Sequence, residues 1–363
     1  MSNFTRTVAT MKTLKCITIC TVLTIAGCAG GYFQSHSEAT QAAAQDSIVH
    51  PETTPEETAS SVTIHQDIVY GYGTINVSSD AQQRPLLLDA YLPSNPGNAD
   101  EEPPAIIMAF GGAYHRGRRG DHQFYEDGAH DSSMADYCEA FAKKGIACFS
   151  IDYRLTPEDP AMPEGIDTSQ LMPEELLRNP LVTGRVEVVR KRMGLPPLDD
   201  TSRRQLWNAT LAAVEDLEAA LDFVRDNAEV YNVNPNRIAL GGFSAGAMTA
   251  MNLAYGKGAD VDAVIALSGT IWGYDLEKTV LSDAPPLLMF SGQWDLAGIR
   301  QGSAQIVRLF HSRGISVKQA WVPSFGHFYP MEAPSLSSEF EKSSVLEQAV
   351  GFLAHNFEVK VSE

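Results

Sequence analysis

Gly242-Phe243-Ser244-Ala245-Gly246 places a serine between glycines two positions to either side, after Ile238-Ala-Leu and before Ala247-Met-Thr-Ala-Met-Asn-Leu-Ala. A serine hydroxyl attacks an acyl carbonyl only when a base removes its proton and donors meet the oxyanion that forms. A sharp strand-to-helix turn presents such a serine in strained backbone, and small residues around it let strand and helix pass closely. The pattern by itself arises by chance in roughly one chain in six of this length and Gly/Ser content, so its flanks must decide. Ile238-Ala-Leu reads as a short buried strand and the Ala/Met/Leu-rich run as a helix, the setting the turn requires.

The base and its orienting carboxylate should follow in the order Ser, Asp/Glu, His, each after a later strand. Pro286-Leu-Leu-Met-Phe-Ser291 is an apolar strand breaking into Gly292-Gln-Trp-Asp295, which makes Asp295 the acid. Val317-Lys-Gln-Ala-Trp-Val322 is the next strand, and Pro323-Ser-Phe-Gly-His327 makes His327 the base. His311 and His355 fall in helix-like runs instead. Singly, Asp295 also fits a solvated loop carboxylate and His327 a surface turn histidine; their order and strand-end positions select them jointly. Asp275 and Asp283 are the fallback acids. Upstream, Pro104-Ala-Ile-Ile-Met-Ala-Phe110 is a buried strand running into Gly111-Gly112-Ala113-Tyr114. Its small residues let backbone N–H groups turn inward, so Gly112 and Ala113, with the Ala245 N–H, are the expected oxyanion hole.

The rest of the chain must position these residues. About 300 residues follow Val62, enough for one α/β domain. Ile68–Val77 and Leu86–Leu92 read as an opening antiparallel pair, after which strands and helices alternate, so a mostly parallel sheet with helices on both faces is expected. Leu211, Val214, Leu217, Leu221 and Val224 set a core-facing helix from Trp207 to Tyr231, and Val345, Leu346, Ala349, Phe352 and Leu353 another.

Three runs carry a family resemblance. Pro104-Ala-Ile-Ile-Met-Ala-Phe-Gly-Gly-Ala-Tyr-His-Arg-Gly117 resembles the oxyanion loop of α/β-hydrolase esterases of the hormone-sensitive-lipase and feruloyl-esterase-like groups. Phe141–Glu158, with its Asp-Tyr-Arg-Leu, is similar to a strand of those families, and Asn234–Gly246 to their approach to the nucleophile. The likeness covers roughly Asp67 to Phe357. It implies the α/β-hydrolase fold and carboxylic-ester hydrolysis through an acyl-enzyme, without a cofactor, on a small-molecule or carbohydrate ester (acetylated or feruloylated carbohydrate among them). Two positions depart from the pattern: Phe110 stands for the usual His and Ala113 for the third Gly. A serine peptidase of the same fold, or a binding protein on an inactive scaffold, is the alternative.

Residues 157–205 hold seven prolines between Pro157 and Gln205 and exceed the family's connection, so they are expected to form an inserted cap at the C-terminal edge of the sheet. The segment carries Arg178, Arg185, Arg190, Lys191, Arg192, Arg203 and Arg204, and Arg116, Arg118 and Arg119 follow the oxyanion loop. These cations either bind an acidic substrate or pair with local carboxylates.

Lys12 and Lys15 precede the apolar Ile17–Ala26, too short to span a bilayer comfortably and suited to a signal peptide over residues 1–27. Ile25-Ala-Gly-Cys28 resembles a bacterial lipobox, which implies diacylglycerol on Cys28 and a lipid-anchored protein of the cell envelope; secretion after ordinary cleavage is the alternative. Residues 28–61, rich in Ser, Thr, Ala, Gln, Glu and Pro, read as a flexible tether to a domain over 62–363. Formal charge is −18 and becomes −21 once Arg6, Lys12 and Lys15 leave with the signal, which opposes nucleic-acid binding. Cys138 and Cys148 remain as either a disulfide or two buried thiols. His115, His122 and His130 stand isolated on one loop, and no cluster has metal-ligand spacing.

Overall fold

The computed structural model describes residues 61–94 and 102–360. The signal segment 1–27, Cys28 and all but the last residue of the tether lie outside the described residues. The described residues belong to one compact unit, Glu57–Glu363.

Strand β1 (Val62–Ile75) pairs antiparallel with β2 (Gln82–Pro93). After β3 (Ala105–Ala109) come a small hairpin, β4 (Tyr125–Glu126) and β5 (Ala129–His130), then helix α1 (Met134–Lys143) and β6 (Ala147–Ile151). Strand β6 takes the other edge of β2, again antiparallel. Helix α1 starts where a reciprocal Ser133–Asp136 capping box satisfies its first amides. Cys138 on α1 and Cys148 on β6 form a disulfide rather than two buried thiols.

The proline-rich segment contains three 3-10 turns, Thr156–Glu158, Thr168–Gln170 and Glu174–Arg178, and helix α2 (Pro180–Arg192). Its first residue is Pro180, whose missing N–H costs nothing there, and the Asn179 side chain accepts from Leu181 N at 3.0 Å. The long helix α3 runs Asp200–Asp226, not Trp207–Tyr231 as expected. Asp199 and Ser202 cap it seven residues earlier, and the polar first two turns hid its period, so residues 200–205 belong to this helix. At the other end the Asn227 side chain donates to Phe223 O and separates a one-turn helix, α4 (Ala228–Tyr231).

Strand β7 (Ile238–Phe243) leads into α5 (Ala245–Met251), which continues as a π-helical turn, Asn252–Lys257. The remaining elements are β8 (Ala263–Leu267), α6 (Leu276–Thr279), β9 (Leu287–Gly292), α7 (Ala297–Arg313), β10 (Val317–Val322), β11 (Pro334–Ser337), β12 (Lys342–Ser344) and α8 (Val345–Phe357). The sheet order is β1-β2-β6-β3-β7-β8-β9-β10-β11-β12, with the six strands from β6 to β10 mutually parallel. Every residue of β3, β6, β7, β8 and β9 is buried, so helices must cover both faces of this centre. Helices α1 and α8 pack together, and α3 packs with α5. The loops after β3, β7, β8, β9 and β10 therefore leave adjacent positions along one edge of the sheet, where open α/β sheets bind ligands.

Candidate active site

Ser244 sits between β7 and α5 with φ 53° and ψ −110°, a left-handed conformation that a serine adopts only under constraint. The constraint is packing: a Cβ on Gly246 would stand 2.0 Å from the Ala109 carbonyl oxygen, so strand β3 touches the first turn of α5. Ser244 N donates to Leu267 O at 2.8 Å and ties the turn to β8.

His327, in the loop after β10, brings Nε2 to 3.0 Å from Ser244 Oγ. Its Nδ1 lies 2.8 Å from Asp295 Oδ1 after β9. A carboxylate can only accept, so Nδ1 carries the proton and Nε2 offers its lone pair to the serine hydroxyl. Both groups are buried. The two loops meet because Gly292 is bare: a Cβ there would stand 1.8 Å from Gly326 O. Asp295 also accepts from Leu296 N at 2.7 Å and, through Oδ2, from Ser268 Oγ at 2.6 Å. Ser268 Oγ has one proton, so the buried Tyr329 phenol, 3.0 Å away, donates to Ser268 in turn. Burial, with the Asp295 charge nearby, holds the Tyr329 phenol well above its usual range. Sequence reasoning missed Ser268 and Tyr329; the signal was Ser268 immediately after β8, on the same edge. The fallback acids lie elsewhere: Asp275 caps α6 and pairs with Lys278, and Asp283 is exposed.

The loop after β3 carries Ala113 and Tyr114 both at φ 58°, so Ala113 takes left-handed backbone despite its Cβ. Its neighbours hold it. The fully buried Tyr114 sends its phenol to Thr249 Oγ1 at 3.1 Å, while Thr249 donates to Ala245 O at 2.9 Å. His115, read as an isolated loop residue, is buried, and its Nδ1 lies 2.8 Å from Ala113 O. Its Nε2 lies 3.0 Å from Arg190 Nη1 on α2. Burial pushes the imidazole down to about 4, the Ala113 carbonyl opposes this, and Arg190 adds to it. The amides of Gly112, Ala113 and Ala245 donate to no other group of the chain among the described residues.

Every arginine of the two clusters except Arg190 pairs with a local carboxylate. Arg116, Arg185 and Arg192 all bond Glu126, and Arg185 and Arg192 also reach Asp127. Burial raises the Glu126 carboxyl, but the Arg116 hydrogen bond and the Arg185 charge outweigh it and hold it below its usual range. Arg118 meets Asp121, and Arg119 bridges Asp67, Asp89 and Asp152. Arg178 and Arg203 meet Asp200, and Arg204 meets Glu174. Arg190 gives its Nε to Pro196 O at 2.8 Å. Beside Ser244 opens a chamber of about 830 Å³, bordered by Ala113, Tyr114, Met248, Trp272 and residues of α2 and α7. Ser244 and His327 also border a small cleft with Phe243, Phe328, Arg185 and Val189. Arg116 lies over the Phe124 ring and Arg185 over the Phe328 ring.

Comparison with known proteins points to the same fold. Residues 203–275, from α3 to just before α6, match the model of the BD-FAE family. No curated protein matches the chain. Among solved structures, esterase 2 of Thermogutta terrifontis, phosphoramylated by tabun, aligns with a TM-score of 0.50 at 15% identity, over 83% of this chain and 96% of that one. A truncated carbohydrate esterase from gut microbiota aligns at 0.49 and 17% identity, over 84% and 99%. An alpha/beta hydrolase enzyme from a Medee basin deep-sea metagenome library aligns at 0.48 and 16%, over 80% and 98%. The likeness is one of fold: the chain has the α/β-hydrolase architecture, a mostly parallel sheet with helices on both faces.

Proposed function

We propose that this protein is a serine hydrolase that cleaves carboxylic esters through an acyl-enzyme. The observation that carries this reading is the hydrogen-bonded chain Ser244 Oγ, His327 Nε2, His327 Nδ1, Asp295 Oδ1, at 3.0 and 2.8 Å, with the serine at a strained elbow. The BD-FAE match over residues 203–275 and the esterases of similar fold point the same way.

In this reading Ser244 Oγ attacks the acyl carbon as its proton passes to His327 Nε2. The carbonyl oxygen becomes an oxyanion that accepts from the N–H groups of Gly112, Ala113 and Ala245. Asp295 holds the Nδ1–H tautomer and stabilises the imidazolium. The tetrahedral species collapses, the C–O bond to the alcohol breaks, and His327 returns the proton to the departing oxygen. Water, deprotonated by His327, then attacks the acyl-Ser244 ester, and the carboxylic acid leaves as Ser244 regains its proton. The chain's own residues supply every group, with no cofactor in the scheme.

We place the enzyme at the bacterial cell envelope, with Cys28 carrying a diacylglycerol anchor. The Cys138–Cys148 disulfide suits the oxidising compartment this requires. A Cys28→Ser variant should leave the membrane fraction with unchanged specific activity; a variant that still sediments with membranes overturns the anchor.

The catalytic proposal is tested by a fluorophosphonate probe. Ser244 should be labelled stoichiometrically, with loss of p-nitrophenyl ester hydrolysis, and Ser244→Ala should keep the fold without label or activity. Labelling at another residue, or an active Ser244→Ala protein, overturns it. Faster turnover of aminoacyl amides than of esters would assign a peptidase instead.

A further inference from the structure

The loop that follows β8 carries Trp272 and is held from three sides. Trp272 borders the chamber beside Ser244, together with Tyr114, Met248 and Met172. All four side chains are apolar or aromatic, so they suit an apolar substituent of a bound ester. This step rests on the proposed function, with Ser244 as the nucleophile.

The hold from behind is Asn252, fully buried where α5 passes into its π-helical turn. Such turns inside helices recur at working sites. The Asn252 amide spends all its groups there. Its Nδ2 donates to Met248 O and to Trp272 O, both at 2.9 Å, and its Oδ1 accepts from Tyr274 N at 2.9 Å. Gly273 lies between those two loop residues at φ 115°, and a Cβ on it would stand 2.8 Å from Asn252 Oδ1. One packed side chain therefore bonds the backbone on both sides of this glycine. The second hold is on the indole. Trp272 Nε1 donates to Thr210 Oγ1 on α3 at 2.9 Å, and the buried Thr210 hydroxyl donates to Leu206 O. The third hold is the proline-rich segment. Met172 N donates to Gly273 O and Asp275 N to Gln170 O, both at 2.8 Å, and Leu171 bridges to Tyr274. Met172 thus hangs on the same loop that Asn252 fixes.

From this convergence we infer that Trp272 is a specificity-determining residue, reading an apolar substituent of the ester, and that Asn252 is its positioning residue. Without the Asn252 amide, the Trp272 carbonyl and the Tyr274 N–H lose their buried partner, and the loop must shift to find others. Trp272 and Met172 then move together. None of these bonds involves Ser244, Asp295 or His327, so the displacement weakens substrate binding more than it slows the chemistry.

The test compares methyl acetate with methyl hexanoate and hexyl acetate, which carry the apolar group on opposite sides of the ester, on the full-length enzyme. For the better of the two larger esters, Trp272→Ala should raise KM about tenfold as apolar contact is lost, and Trp272→Phe should keep part of the preference. Asn252→Asp, equal in size but without the two donors, should raise KM in the same direction with kcat changed far less. Thr210→Val, which removes only the indole's acceptor, should do the same and decides the matter if Asn252→Asp fails to fold. An unaltered preference in Trp272→Ala overturns the inference. So does an unchanged KM in both Asn252→Asp and Thr210→Val, or an equal fall for methyl acetate and the larger esters in them. In each case fluorophosphonate labelling of Ser244 keeps the parent reading intact. Absence of both labelling and ester hydrolysis in the wild type overturns the two together.

Discussion

Arg190 on α2 and His115 in the loop after β3 meet at 3.0 Å, inside the protein, with the imidazole nitrogen accepting from the guanidinium. The other imidazole nitrogen donates to Ala113 O, so helix α2 reaches through one neutral histidine to the backbone of a residue that must hold left-handed geometry. Replacing His115 by Ala should lower kcat by about tenfold or more with little change in KM, since a displaced oxyanion donor costs up to ~10²–10³. His115→Asn, which keeps a donor for Ala113 O, should recover part of the loss. Equal loss in both variants would make the histidine a packing residue only.

The same pair sets a pH dependence of stability. The folded imidazole is depressed to about 4, against an ordinary value of 6.5. Between those values the unfolded chain binds a proton that the folded chain does not, so stability falls as pH drops through this window and is whole above it. The difference amounts to roughly 3 kcal/mol across the window. Urea midpoints of wild type at pH 7 and pH 4.5 should differ by more than those of His115→Asn. Parallel shifts in the two proteins would remove His115 as the source.

Asp295→Asn should lower kcat by ~10⁴ with KM nearly unchanged, because the amide would favour the wrong imidazole tautomer. Ser268→Ala should cost far less, about tenfold, since Asp295 keeps the Leu296 amide when the Ser268 hydroxyl is removed. Steady-state kinetics on a soluble ester separate the two. A Ser268→Ala loss as deep as that of Asp295→Asn would show that the hydroxyl is indispensable to carboxylate placement.

Gly246→Ala puts a methyl 2.0 Å from the Ala109 carbonyl, where backbone and not a flexible side chain must yield. The expected cost is about 3 kcal/mol of stability, together with loss of activity as the elbow shifts. Thermal unfolding and fluorophosphonate labelling measure the two effects. A variant as stable and as reactive as wild type would mean that β3 and α5 can separate.

Arg154 and Asp216 form a fully buried pair, with Arg154 Nε 3.0 Å from Asp216 Oδ1 and Arg154 N 2.7 Å from Oδ2. Burial raises the Asp216 carboxyl, and Arg154 opposes the rise. Asp216→Ala should cost about 3 kcal/mol by leaving the buried Arg154 with only the half-exposed Glu215 as its ion-pair partner, whereas Arg154→Met with Asp216→Leu should recover most of it. Chemical denaturation reads both. Equal destabilisation by the single and double changes would point to lost packing.

Ser244, Asp295 and His327 were legible in the chain because each constraint on them is local. An elbow needs small residues at fixed spacing; Asp295 follows the wholly buried apolar strand Leu287–Gly292, and His327 follows the half-buried strand Val317–Val322. The parallel sheet was legible for the same reason, since strands buried on both faces read as continuous apolar segments. Only tertiary structure could bring in Ser268 and Tyr329, because their hydroxyls matter through neighbours 27 and 61 residues apart in sequence. The start of α3 was hidden because its first turns face water and carry no period. His115 read as an isolated loop histidine, whereas the fold buries it against Arg190 of α2, and Arg116, Arg185 and Arg192 converge on Glu126. Side-chain chemistry and short-range periodicity are written in the chain; burial and partnership depend on which distant segments close over a residue, and packing alone decides that.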